Sequence, residues 1–188
     1  MRFANILLIL TLQFFATMAA ADAGNVVEDT ELRLDELFSQ LRDADVENVY
    51  DIEWEIIDIW VHSGSAAMDL LLRRGQIAIE DQDYPKALEH LSALIDHAPE
   101  FAEGWNARAT VYYLTDEYAL AISDITQALI LNPRHFGALN GLGLIFEELD
   151  NPKGAYKAYT MVRDLHPHFD NVNEALIALR PLIDGVEL

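Results

Sequence analysis

Residues 101–133 read FAEGWNARATVYYLTDEYALAISDITQALILNP, with two short amphipathic patterns separated by a break. In the first pattern, Trp105, Ala109 and Tyr112 are spaced i, i+4 and i+7, which places them on one helical face. A second set with helical spacing follows the break: Tyr118, Ala121, Ile125 and Ala128. A lone amphipathic helix needs only an apolar stripe. The alternation of large and small residues in both sets predicts a hairpin of two closely packed helices.

The same arrangement returns every 34 residues along the chain. Three columns keep this spacing, one of proline, one of alanine and one of small residues: Pro99, Pro133 and Pro167; Ala87, Ala121 and Ala155; Gly75, Ala109 and Gly143. Self-similarity at a fixed period indicates a repeat architecture, because a single hairpin cannot bury its apolar face alone. The sequence therefore predicts three units, at residues 68–101, 102–135 and 136–169.

The small residues have a physical reason, since only Gly or Ala allows two helix backbones to approach at a short distance. The second helices carry matching columns: Ala87, Leu91 and Leu94; Ala121, Ile125 and Ala128; Ala155, Tyr159 and Val162. Asp83 and Asn151 precede prolines in the first turn of two second helices, where they are expected to act as N-caps. The proline at the end of each unit stops the helical hydrogen bonding.

This pattern resembles the tetratricopeptide repeat (TPR). The order in that family, a large, a small and an aromatic residue followed by Ala, an aliphatic residue, Ala and Pro, is matched by Trp105, Ala109, Tyr112, Ala121, Ile125, Ala128 and Pro133. The resemblance covers residues 68–169 and implies an all-α fold, a right-handed α-solenoid of three helical hairpins. The first unit departs from the pattern at Ala78, where an aromatic is usual, and at Leu94, where a small residue is usual. These departures suggest an edge unit or altered packing against the residues that precede it.

Two regions flank the repeats. Residues 28–67 contain two helical stripes and predict an acidic helical hairpin, which is either a degenerate fourth repeat or a differently packed pair. Leu41 and Glu53 favour the second alternative, because the repeat register wants small residues at their positions. Residues 170–181 predict a capping helix that covers the open end of the solenoid, with Asp170 as N-cap and Pro181 as the stop.

Residues 1–21 are expected to be a signal peptide, cleaved near residues 21–24. They contain Arg2, an apolar run from Ile6 to Phe15 and small residues at Ala19 and Ala21, which is the plan of a secretory signal. The alternative is an uncleaved anchor, although the apolar run is shorter than the roughly 20 residues of a membrane span. A signal, a short array and no cysteine resemble secreted TPR proteins of Gram-negative bacteria, so we expect a periplasmic location and no membrane contact after cleavage.

The formal net charge of −20 argues against nucleic-acid binding, because a phosphate backbone repels such a chain. It favours a neutral or basic partner. Residues 28–58 concentrate twelve acidic residues against two basic ones, which indicates either a solvated helix face or an attraction to a basic partner. The absence of cysteine excludes thiol catalysis and cysteine zinc sites.

No catalytic constellation is evident, so the sequence predicts neither an enzyme nor a cofactor. The His62-Ser63-Gly64-Ser65 segment lacks the G-x-S-x-G order of a nucleophile elbow and is expected to be a loop between helices. A small-ligand or divalent-metal module is the alternative function. Two groups of side chains are its candidates: His135, His166 and His168; and Asp51, Glu55, Asp58 and His62, which share a helix face.

The TPR resemblance implies a protein-interaction scaffold whose concave groove is lined by the first helix of each unit. Position by position it implies these groove residues: Asp69, Leu72, Gln76, Glu103, Asn106, Thr110, Tyr113, Asn140, Leu144 and Glu147. Asn106 and Asn140 lie one repeat apart and can both donate to and accept from a peptide backbone. One subfamily holds a C-terminal carboxylate in a basic and asparagine clamp. Its positions here carry Leu72, Gln76, Ala107, Gly137 and Gly141, so that clamp is not present. The sequence thus predicts a non-catalytic adaptor that binds a protein or peptide through its groove or its acidic N-terminal hairpin.

Overall fold

The computed structural model describes residues 29–43 and 48–183, and the described part of the chain is helical and contains no strand. Its nine helices are α1 (residues 29–43), α2 (Val49–Trp60), α3 (Ala66–Glu80), α4 (Tyr84–His97), α5 (Ala102–Leu114), α6 (Tyr118–Leu131), α7 (Phe136–Glu148), α8 (Pro152–Leu165) and α9 (Val172–Ile183). None of these described helices combines the length and the apolar character needed to cross a membrane. The predicted signal peptide at residues 1–21 lies outside the described residues.

The chain divides into two compact units, Met1–Gln40 and Leu41–Leu188. In the first unit, α1 buries Leu34, Leu37 and Phe38 along one side, the apolar spacing that the sequence shows. On its exposed side, the guanidinium of Arg33 donates to Glu36 at 2.7 Å, one helical turn away. Helices therefore form in both halves of residues 28–67, as predicted.

In the second unit the helices pack as consecutive antiparallel pairs. The pairs are α3 with α4, α5 with α6 and α7 with α8, and each predicted repeat contains one of them. Successive pairs stack through α4 against α5 and α6 against α7, while α9 covers α8. The first helices α3, α5 and α7 also contact one another in order. The array is the predicted α-solenoid of helical hairpins, and its first helices lie side by side along one face.

The small-residue column marks the closest approach within a pair, as predicted. A Cβ added to Gly75 would lie 2.5 Å from Cδ2 of Leu91, and one added to Gly143 would enter the ring of Tyr159. Leu94, the large residue at a usually small position, is fully buried. The next unit offers Gly104 opposite it, where a Cβ would meet Leu94 Cδ2 at 3.2 Å.

The turns within the hairpins follow the predicted chemistry. The side chain of Asp83 accepts from the amide of Lys86, and that of Asn151 accepts from the amide of Gly154, so both act as N-caps. The turns share a second feature with the repeat spacing, a residue with positive φ in each: Gln82 (59°), Asp116 (60°) and Asp150 (51°). Left-handed backbone here lets the chain reverse within three residues.

The capping helix differs from its prediction at both ends. It begins at Val172, after Asn171 with φ of 62°, so Asp170 does not flank its first turn. It also continues through Pro181 to Ile183, and the prediction that Pro181 ends it is wrong. Proline removes one backbone hydrogen bond, yet the buried side chains of Leu179 and Ile183 keep the last turn packed.

Helix α2 does not stack as a fourth repeat. Its Trp60 ring stacks on His135, with centroids 4.6 Å apart, and lies 4.9 Å from Phe136. Further along the array, Oε2 of its Glu53 is 3.4 Å from Nε2 of His166. A stacked repeat contacts only its immediate neighbour, whereas α2 reaches the ends of the second and third units. These contacts do not follow the repeat pattern and argue against a degenerate fourth repeat. The pairing of the two helices of residues 28–67 stays a prediction.

Candidate functional site

A pocket of about 260 Å³ opens between the first helices α5 and α7. It is lined on α5 by Asn106, Ala109, Thr110, Tyr113 and Leu114, on α7 by Gly137, Asn140, Gly141, Leu144 and Ile145, and at its base by Ile125 of α6. Five of the ten predicted groove residues meet here: Asn106, Thr110, Tyr113, Asn140 and Leu144. The structure thus places them around one concave site.

The pocket has an apolar base and side-chain amides on its walls. Ala109, Ile125 and Ile145 are buried and form its base. The amide of Asn106 donates to Glu103 at 3.3 Å, whereas no hydrogen-bond partner is found for the Asn140 amide among the described residues. Gly137 and Gly141 leave the wall beside Asn140 without side chains. An extended peptide can therefore approach the α7 backbone closely and exchange hydrogen bonds with Asn140.

One end of the pocket is negatively charged. Burial raises the pKa of Tyr113, and the nearby carboxylates of Glu148, Asp116 and Glu147 raise it further. Close by, Tyr118 donates its hydroxyl to Asp116 at 2.9 Å, and this hydrogen bond raises the pKa of Tyr118 to about 12. The phenols stay neutral while three carboxylates surround them. This end of the pocket favours a cationic or neutral group over an anionic one.

The other predicted groove residues lie elsewhere or have internal partners. Gln76 faces a separate cleft between α2 and α3. Nε2 of His135 donates to Glu103 at 2.8 Å, because Nδ1 of the same ring accepts from the amide of Ala138 and caps α7. Glu147 accepts the hydroxyl of Tyr159 at 2.6 Å. Gln76, Glu103 and Glu147 therefore each have surroundings that the repeat pattern does not predict.

Two further positions are corrected. Leu72 was expected in the groove, but it is 2% exposed and belongs to the core of the first repeat. Asp69 is turned toward the loop before α3, where one of its oxygens accepts from both the amide and the hydroxyl of Ser63. Partial burial opposes the charge on Asp69, but the two hydrogen bonds outweigh it and lower the pKa of Asp69.

A buried ion pair beneath the groove helices was not predicted from the sequence. The guanidinium of Arg108 on α5 binds both carboxylate oxygens of Asp124 on α6, at 2.7 and 3.0 Å, and donates to Ser92 on α4 at 3.2 Å. Asp124 is 4% exposed, and its hydrogen bonds raise the pKa of Arg108. Bidentate pairing fixes the orientation of the guanidinium. The hydrogen bond from Arg108 to Ser92 therefore links the second repeat to the first.

The structure does not assemble the residues considered for chemistry. The Ser63 hydroxyl donates to Asp69, while the exposed ring of His62 contacts the carbonyl of Asp58 at 2.6 Å. That contact raises the pKa of His62. Within residues 29–43 and 48–183, no three His, Asp or Glu side chains are placed to share a metal ion. Neither the set of His135, His166 and His168 nor the acidic stripe of α2 forms such a group.

Comparison with known proteins agrees with the fold. A tetratricopeptide repeat model matches residues 72–128 and again residues 116–168. A TPR repeat-containing protein of Rhizobium etli is 37% identical over 162 residues, which is 86% of this chain and 79% of that protein. The chain belongs to the tetratricopeptide repeat family, whose members are generally protein-interaction scaffolds.

Solved TPR structures share the same helix arrangement. The first TPR of Spaghetti (RPAP3), bound to the HSP90 peptide SRMEEVD, superposes with a TM-score of 0.61 at 22% identity, over 64% of this chain and 95% of that one. The TPR2B domain of yeast Sti1, in a complex with pHsp70, gives a TM-score of 0.58 at 18% identity, over 63% of this chain and 99% of that one. At these identities the likeness concerns the fold.

Proposed function

We propose that this protein is a non-catalytic scaffold that holds a neutral or basic peptide segment of a partner protein in the pocket between α5 and α7. The observation that carries the proposal is the convergence of Asn106, Thr110, Tyr113, Asn140 and Leu144 on one concave site. Asparagine side chains one repeat apart suit the spacing of an extended backbone, and the apolar base accepts one aliphatic side chain.

The charge of the pocket supports the class of partner. The RPAP3 domain is bound to a peptide, SRMEEVD, that is acidic at its C-terminal end. In this chain the clamp positions implied by the resemblance carry Leu72, Gln76, Ala107, Gly137 and Gly141, none of which is basic. Asp116, Glu147 and Glu148 lie close to Tyr113 instead. A segment carrying Lys or Arg beside an aliphatic residue fits this surface better than an acidic terminus.

The experiment is a peptide array in which immobilised 12-residue peptides sample acidic, neutral and basic compositions. We expect the full chain to bind peptides with Lys or Arg flanking an aliphatic residue. The variant Asn106→Ala/Asn140→Ala should lose about tenfold in affinity, since two backbone-directed hydrogen bonds of about 1 kcal/mol or less each disappear.

The matched control is Gln127→Ala on α6, a polar truncation of similar size outside the pocket, and circular dichroism verifies that each variant is folded. Equal binding by the double variant and the control would remove the α5–α7 pocket from the proposal. A preference for acidic peptides would contradict the assignment of partner charge.

The periplasm is the proposed setting, and it rests on the signal-like composition of residues 1–21. Cell fractionation of the chain with a C-terminal tag measures this directly. A shortened protein in the osmotic-shock fraction is the expected result, and a full-length protein in the cytoplasmic fraction would refute export.

A further inference from the structure

A second cleft, of about 510 Å³, lies between α2 and α3 and shares no residue with the α5–α7 pocket. Its walls are mostly apolar: Trp54, Ile57, Val61 and Ile79. Its polar lining consists of Asp58, Gln76 and Glu80. The residues that the structure describes around the cleft thus include two carboxylates and neither Lys nor Arg.

Trp54 is the unusual member of this cleft because its side chain is 70% exposed. Tryptophan has a large apolar surface, and in water its exposure is unfavourable compared with burial in an interface. Among interface residues, tryptophan is the type that most often dominates the binding energy.

The opposite face of α2 packs against the repeats, which fixes the position of the helix and of Trp54. Ile56 is fully buried, Trp60 stacks on His135 at 4.6 Å, and Glu53 lies 3.4 Å from His166. These three residues follow i, i+3 and i+7 spacing, whereas Trp54, Asp58 and Val61 follow i, i+4 and i+7 on the other side. A preorganised cleft loses little conformational entropy when a partner binds.

The charge around the cleft selects the sign of the partner. Asp58 and Glu80 lie in the cleft lining, whereas Arg73 and Arg74, the exposed basic residues of α3, do not. A cation can lie over the indole of Trp54 and within reach of these carboxylates, an arrangement worth about 0.5–2 kcal/mol for the ring contact alone. An anionic partner would be repelled by every charged group in the cleft lining.

We propose that the α2–α3 cleft is a second docking site, for a basic amphipathic segment of a partner protein. An aliphatic side chain of the segment packs against Ile57, Val61 and Ile79. A Lys or Arg of the segment lies over Trp54 and pairs with Asp58 or Glu80. This site goes beyond the α5–α7 pocket, and either site can bind when the other does not.

The test is isothermal titration calorimetry of the full chain with two probe peptides, acetyl-KLLKKLLK-amide and its acidic counterpart acetyl-ELLEELLE-amide. We expect saturable binding of the basic probe and none of the acidic one. The exposed position of Trp54 means that Trp54→Ala should fold normally, and it should weaken the basic probe about tenfold. Asp58→Asn/Glu80→Gln should weaken it about fivefold.

The matched control is Glu89→Gln/Glu174→Gln, which removes the same charge at exposed positions outside the cleft and should bind like the unmodified chain. Equal weakening by this control would show general electrostatic attraction and overturn the site. Absence of basic-probe binding, or dimerisation that depends on Trp54 in sedimentation measurements, would also overturn it. Loss of binding in Asn106→Ala/Asn140→Ala but not in Trp54→Ala would place the probe in the α5–α7 pocket, which refutes the second site while supporting the proposed function.

Discussion

At Gly75 and Gly143 the paired helices approach so closely that only the hydrogen of a glycine fits between them. Gly75 faces Leu91 and Gly143 faces Tyr159. Tyr159 is 2% exposed, and burial together with its hydrogen bond to Glu147 strongly raises its pKa. A ring that is both buried and hydrogen-bonded has little freedom to move away from an added side chain.

Gly143→Ala should therefore destabilise the protein by about 1–3 kcal/mol, since the new methyl group collides with the Tyr159 ring. This outcome runs against helix propensity, which favours alanine over glycine by about 1 kcal/mol. Urea denaturation, followed by circular dichroism, gives the change in the free energy of unfolding.

Gly141→Ala, two residues earlier in α7, is the matched control. Its Cβ would meet Ile125 Cδ1 at 3.6 Å, an ordinary contact, so this variant should be more stable than the unmodified chain by about 0.5–1 kcal/mol. If both variants gain stability, the helices can separate without cost and the close approach does not limit the fold.

The residue-scale contacts differ in how far the sequence predicts them. Gly143 and Tyr159 fall on columns of the 34-residue period, so their positions on facing helices follow from spacing. Arg108 and Asp124 lie 16 residues apart on different helices. Arg74 stands one repeat before Arg108, but His90 and Ala158 occupy the column of Asp124, so the pair itself does not recur. A polar pair that occurs in only one repeat produces no periodic pattern in the sequence.

At the scale of elements, α2 is the helix whose packing sets this chain apart from a simple array. It contacts the solenoid through Trp60, which lies between His135 and Phe136, and through Glu53 beside the buried ring of His166. Among the described residues, neither ring nitrogen of His166 has a partner in hydrogen-bond geometry. Glu53 and His166 are therefore within ion-pair distance but do not form an aligned hydrogen bond. We expect Trp60 to contribute most of the free energy that holds α2 against the solenoid.

Trp60→Ala should loosen α2 while leaving the repeats folded. Truncation of a half-buried aromatic costs about 2 kcal/mol, so amide hydrogen exchange within Val49–Trp60 should accelerate about 30-fold. Protection in α5–α8 should stay unchanged, because those helices are held by their own pairs.

Trp54→Ala is the control for that measurement, since it removes the same side chain from the exposed face of α2. It should leave the exchange rates of the helix nearly as they are. Equal exchange in the two variants, or loss of protection throughout the array, would show that Trp60 does not anchor α2 specifically.

The sequence predicts the hairpins of the array but not the packing of α2. Each hairpin has the same sequence pattern as its neighbour, so a column of small residues predicts where the helices cross. Nothing periodic relates Glu53 to His166 or Trp60 to His135. The capping helix shows the same limit, since Pro181 signals a stop locally while buried Ile183 extends the helix.

For the whole molecule, two kinds of contact coexist. The repeats interact with their sequence neighbours, and the candidate groove follows directly from this order, with Asn106 and Asn140 at equivalent places in adjacent units. Of the ten predicted groove residues, the five that meet in the pocket come from α5 and α7. Gln76, Glu103 and Glu147 depart because of contacts that are specific to one repeat: the α2 cleft, His135 and Tyr159.

The contacts of α2 have a consequence for how the chain folds. Trp60 and His135, and likewise Glu53 and His166, are separated by more than two repeat lengths of sequence, so these pairs have high contact order. Their binding surface exists only after the second and third hairpins have stacked, whereas each hairpin assembles from local contacts. The solenoid should form early and quickly, and docking of α2 should be a late, slower step. During synthesis, α2 would therefore be made before the segments against which it docks.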